Sequence, residues 1–151
     1  MSPADAVSEF EHSHGQLSEL VVKLRGMLSP GTSSRDGAAL VKLLKDLREE
    51  LLLHFAREEE GLFPFVRAHV ADQKNVVDRL EAAHDGICGA VVRLAHLAER
   101  EPSPSGLRNT FERFERAYAE HGRAEGELLR TLGQRLEPTH RAELAELVRG
   151  L

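Results

Sequence analysis

The stretch "LLLHFAREEEGLFP", Leu51 to Pro64, sets His54 among leucines and phenylalanines and places Glu58 four residues later. Four residues is about one helical turn, so the two side chains would stack on one helix face. If that face is buried, both polar groups need a partner in the core. The plain alternative is that Glu58 belongs to the solvated run Glu58-Glu59-Glu60 and that His54 is a satisfied core histidine. The pair is not alone, however. His121 and Glu125 repeat it, and two further histidines, His14 and His84, are each followed three residues later by an aliphatic, Leu17 or Ile87. The unit His-x-x-(Leu/Ile) and then His-x-x-x-Glu-x-x-Leu thus occurs twice, with 40 residues from His14 to His54 and 37 from His84 to His121. Imidazole and carboxylate together suit iron, manganese or zinc. A pseudo-twofold repeat that supplies His, His and Glu from each half is the donor set of a two-metal site.

Such donors must be carried by elements that bring them to one level. "SPGTSSRDG" (29–37) and "EPSPSG" (101–106) hold the Pro, Gly and Ser of loops, and Pro64 is expected to end or kink a helix before "HVADQ". Ser2-Pro3 and Ser103-Pro104 set a capping side chain before a proline suited to the first helical position, and Asp72 is a further candidate N-cap. Helices are therefore expected near 3–28, 36–64, 72–100 and 104–134, with a short terminal helix near 139–149 after "EPT". Short connections make neighbours antiparallel, so the expected fold is all-α: an up-down-up-down four-helix bundle with a short C-terminal helix, one domain over 1–151.

Each helix has a seam with steps of three or four residues. The four seams run through Val7, Phe10, His14 and Leu17; through Leu51, His54, Glu58 and Leu62; through Leu80, His84, Ile87 and Val91; and through Tyr118, His121, Glu125 and Leu128. They are apolar except at one histidine each and, in the second and fourth, at a glutamate one turn on. Six buried polar groups without partners would cost several kcal/mol each, and a metal site resolves them together. His12 and His96 fall two residues off their seams, while His69 and His140 lie near element ends. All four read as surface residues.

The bulk properties narrow the class. The 151 residues can bury a sizeable core, and Leu, Ala, Glu and Arg dominate while aromatics are scarce. A formal net charge of −5 argues against nucleic acid and anionic membrane as partners. No apolar run approaches a membrane span, and "MSPADAVSEF" lacks the features of a secretory signal. A single cysteine, Cys88, fits a reducing compartment, and the expected location is cytoplasmic.

The pattern His, HxxxE, His, HxxxE on four helices resembles the hemerythrin-like (HHE cation-binding) family, and "HFAREEEGLFP" resembles its second-helix signature. Ferritin-like di-iron bundles use Glu-x-x-His instead, carboxylate first and three residues apart. The resemblance implies two iron ions with an oxo or hydroxo bridge; manganese or zinc fits less well. It also implies His14, His54, His84 and His121 as terminal ligands and Glu58 and Glu125 as bridging carboxylates.

Oxygen-carrying hemerythrins have a second histidine on the third helix, four residues on, where this chain has Cys88. Two six-coordinate irons offer about twelve positions. Four histidines, two bridging carboxylates and a bridge leave about two open, against about one with a fifth histidine. That favours redox chemistry on dioxygen, peroxide or nitric oxide over carriage. The same four-histidine, two-glutamate set occurs in di-iron proteins of the iron–sulphur-cluster repair type, whose additional N-terminal domain this chain is too short to carry. Cys88 is expected to be a small buried thiol beside the seam residue Ile87 rather than a ligand. Gly15, Gly61, Gly86, Gly122 and Gly126 cluster around the proposed ligands, either for close helix packing or to line an access cavity. Tyr118, one turn before His121, is expected to be a core residue with its hydroxyl reaching a metal-bound ligand or a supporting carboxylate. The expected partner is a small diatomic or peroxide ligand, with an electron donor the sequence does not name. The competing readings are a sensor or storage module without turnover, an oxidase acting on a small organic molecule, and a bundle whose metal serves stability alone.

Overall fold

The computed structural model describes residues 5–29, 37–100 and 104–149, the side chains of 104 and 105 excepted. α1 (Ala6–Leu28) starts later than expected because Asp5 caps it, its carboxylate accepting the Val7 N–H at 3.2 Å. Ser2-Pro3, Ser103 and most of the first loop lie outside the described residues. α2 (Gly37–Arg57) runs into a π-helical turn, Glu58–Leu62, and then into α3 (Phe63–His69). A 3₁₀ turn (Ala71–Gln73) leads to α4 (Lys74–Glu99), which is followed by α5 (Pro104–Arg135) and α6 (Pro138–Arg149).

Pro64 neither ends nor breaks the second arm. The proline lacks an N–H and its ring clashes with the carbonyl four residues back. The turn before it widens, so that Phe63 N–H reaches Glu58 O, five residues back, and the chain stays helical to His69. Asp72 also departs from expectation. It sits inside the 3₁₀ turn and caps nothing at α4; its carboxylate takes a two-pronged contact from Arg135 at 2.7 and 2.9 Å, tying that turn to the end of α5.

α1 packs on α2 and α5, and α4 packs on the same two, so the four long helices form a ring. The short connections run them up-down-up-down, and the chain is an all-α bundle. α6 lies across one end, against α1 and the π turn. The seam residues named above are buried apart from His14, which is half-buried.

The core is in two parts. One cluster joins Val7, Phe10, Leu62, Phe65, Leu80 and Leu128 to Leu144 and Val148 of α6. The other joins Leu17, Leu51, Phe55, Ile87, Phe114 and Tyr118. On each long helix the change from one cluster to the other falls at the histidine, with its glutamate where there is one. The bundle is therefore two apolar plugs around a polar layer.

Candidate metal centre

That layer contains all six sequence-predicted ligands. His54, Glu58, His84, His121 and Glu125 are buried, Glu58 completely, whereas the His14 side chain keeps 24 % of its surface exposed. Their donor atoms fall into two groups that could each hold an ion: His14, His54 and Glu125 in one, Glu58, His84 and His121 in the other. The histidines stay with their own half of the repeat, but the carboxylates cross over. His54 Nε2 lies 2.8 Å from Glu125 Oε1 and 3.4 Å from Glu58 Oε2, while His84 Nε2 lies 3.0 Å from Glu58 Oε1. Glu125 Oε2 also stands 3.4 Å from His14 and 3.9 Å from His121. Each carboxylate thus faces histidines of both groups, the disposition of a bridging ligand.

Hydrogen bonding accounts for one of these contacts, His54 Nε2 with Glu125 Oε1, and not for the rest. Among the described residues, nine buried side-chain atoms lack a hydrogen-bond partner, and all but Arg57 Nε belong to this layer. They include both oxygens of Glu58 and both ring nitrogens of His84 and His121. His84 and Glu58 approach to 3.0 Å without the alignment of donor and acceptor. Atoms that converge on a common point rather than on each other are arranged for a third body.

Charge makes the same case. Burial, then the repulsion of Glu125, hold the Glu58 carboxyl well above its ordinary value. Burial also opposes ionisation of Glu125, but its close contacts with Glu58, His14 and His54 outweigh it and hold that carboxyl well below. Without a cation, one proton is shared between two carboxylates that cannot both be charged in so dry a place. Burial, then the neighbouring His121, bring His84 down to about 3, and burial likewise lowers His121. Both imidazoles are neutral at pH 7, the form that binds a metal. The donor set fits a cation on every count.

The surrounding residues fix the ligands. Ser13 Oγ meets His54 Nδ1 at 2.8 Å and so orients the ring whose Nε2 faces the centre. Phe55 stacks on His84 at 3.7 Å and 8°. Tyr118 is a buried core residue whose ring stacks on His14 at 5.9 Å, while its hydroxyl pairs with Ser18 at 3.3 Å. Burial pushes that hydroxyl up to about 12. Of the flagged glycines, Gly122 has a steric reason: a Cβ there would stand 2.8 Å from His14 Cε1. Gly15, Gly86 and Gly126 face open space, so close packing does not explain them.

Cys88 is half-buried rather than buried, beside Arg48, Leu51 and Leu52 in a small recess, and enters neither donor group. Burial raises its thiol pKa. His12, His69 and His96 are at the surface. His140 is half-buried beside His69, with ring centres 4.7 Å apart. Sequence reading missed Ser13 because a serine just before a ligand gives no periodic signal. Its only trace is its place on the flank of α1 that faces α2.

A model of the hemerythrin HHE cation-binding domain matches residues 5–132, and the chain belongs to that family. No curated protein and no solved structure matches it. Binding of a metal cation follows from the family and from the two donor groups. No helix among the described residues is long and apolar enough to cross a membrane.

Proposed function

We propose that the protein holds two iron ions, with His14, His54, His84 and His121 as terminal ligands and Glu58 and Glu125 bridging. In this reading it binds or reduces a small oxygen or nitrogen species: dioxygen, peroxide or nitric oxide. The observation that carries the reading is the crossing of the carboxylates, because two separate metals would need no donor that faces both groups. An iron pair held by these six residues would supply redox chemistry toward a small molecule.

The chain's own residues define the rest. His14 is half-buried on one side of the layer, and His121 lines a cleft of about 550 Å³ between α4 and α5 on another. A diatomic molecule or peroxide therefore has short approaches to both donor groups. Phe55 and Phe63 cover His84 and keep bulk water from that position. The absence of a fifth histidine favours turnover over carriage, and we place the protein in the cytoplasm on its single cysteine.

The test is rapid mixing of the reduced, iron-loaded protein with each of the three species, followed by near-ultraviolet absorbance and by product. Consumption over repeated cycles with a chemical reductant supports an oxidoreductase. One stoichiometric spectral change without further consumption supports a sensor or storage module.

A further inference from the structure

A second cleft, of about 780 Å³, lies between α1, α6 and the end of α2. That is within the range of sites for small organic molecules. Its wall has an apolar part, Phe10, Ala145 and Val148, and a polar part that includes Ser13 and Arg57. Arg57 follows His54 by three residues and is half-buried, with its Nε buried and without a hydrogen-bond partner. The other charged groups on the rim are engaged or solvated. Asp5 is paired with Arg141 at 2.6 Å, Arg149 with Glu146 at 2.7 Å, and Glu9 is exposed. Arg57 forms no ion pair among the described residues. A guanidinium that is partly desolvated and unpaired is a site for a planar anion, which it can grip with two parallel N–H donors.

We propose that this cleft binds a small organic carboxylate, its carboxylate on Arg57 and its apolar part against Phe10, Ala145 and Val148. The site is separate from the metal layer but adjoins it. Ser13 lines the cleft and holds His54 Nδ1 at 2.8 Å, so an occupant would touch the residue that orients a ligand. Charge selects the carboxylate end, and the apolar wall selects an organic body over a bare inorganic anion.

The experiment is calorimetric titration of the protein as purified with benzoate and with octanoate, and in parallel with inorganic phosphate. The expected result is saturable one-site binding of a carboxylate, weakened about tenfold or more in Arg57→Gln. Arg57→Lys should restore part of it, and Arg149→Gln should change it little. Circular dichroism and metal content of each variant show that the fold is kept. Three results would overturn the proposal: no saturable carboxylate binding, equal binding by Arg57→Gln, or phosphate binding as tightly as benzoate. The readout is binding itself, so it stands whether or not the neighbouring centre proves to be iron.

Discussion

His54 on α2 is closer to Glu125 on α5, at 2.8 Å, than to Glu58 on its own next turn, at 3.4 Å. The HxxxE pair that is so visible in the sequence is therefore not a unit in the fold. Each histidine pair is completed by the carboxylate of the opposite half. The two repeats cannot assemble their donor groups separately, and the bundle must close before either group exists.

The first consequence concerns the histidines. His54→Ala and His121→Ala should each lose at least one metal ion per chain. With the ion lost, the remaining buried ligands lack its partnership, at about 2 kcal/mol, which corresponds to a fall in Tm of about 4–8 °C. His12→Ala, His96→Ala and His140→Ala should keep the metal content of the parent. Elemental analysis and thermal melts check both statements; full occupancy in the first two variants would remove the ligand assignment.

Glu58 and Glu125 should respond differently to amidation. In the metal-free protein burial and Glu125 hold the Glu58 carboxyl well above its ordinary value, so Glu58→Gln keeps the favoured neutral form and should cost less metal-free stability than Glu125→Gln. Glu125 is hydrogen-bonded to His54 and its carboxyl is held well below the ordinary value, and Glu125→Gln should cost about 2 kcal/mol even without metal. Both should abolish the two-metal form. Denaturant melts of chelated protein measure the asymmetry.

Gly122 makes room for the His14 ring. Gly122→Ala places a methyl 2.8 Å from His14 Cε1, so the imidazole must move. Alanine favours the helix by up to about 1 kcal/mol, which offsets part of the strain. The expected outcome is a stability change under about 2 kcal/mol together with loss of metal from the His14 group alone. Retention of the parent spectrum and metal content would show that His14 is not a ligand.

Arg135 donates two hydrogen bonds to Asp72 and holds that carboxyl down at about 2, against an ordinary value of 3.8. A lowered carboxyl contributes stability that is present above pH 3.8 and is lost as pH falls from there through about 2. Asp72→Asn should lower Tm at neutral pH and flatten the difference between pH 4 and pH 2. Melting curves of parent and variant over that interval decide it. Equal slopes would mean that the pair, which is exposed, is screened to insignificance.

The seams were legible because burial on a helix repeats every three to four residues, and the residues they name line the core. One irregularity was also written there. The second seam alone takes two consecutive four-residue steps, His54 to Glu58 to Leu62, and the π turn Glu58–Leu62 falls at that point. An α-helix would rotate Leu62 off the face, and the wider turn brings it back. What periodicity does not carry is which carboxylate meets which histidine, since that depends on the rotation of packed helices about their axes. Nor does it carry the partners of flank residues, so Ser13 against His54 and Arg57 in its cleft appear only once α1, α2 and α6 are in place.

The central claim is that the six residues hold a pair of irons in one shared layer. Its most direct test is the metal content of protein purified without air, by elemental analysis against protein concentration, with an absorption spectrum before and after air is admitted. The account predicts about two irons per chain and a near-ultraviolet band that develops with air, both lost together in Glu125→Gln. A stably folded chain that carries one zinc, or no metal at all, with Glu125→Gln unchanged, would contradict it.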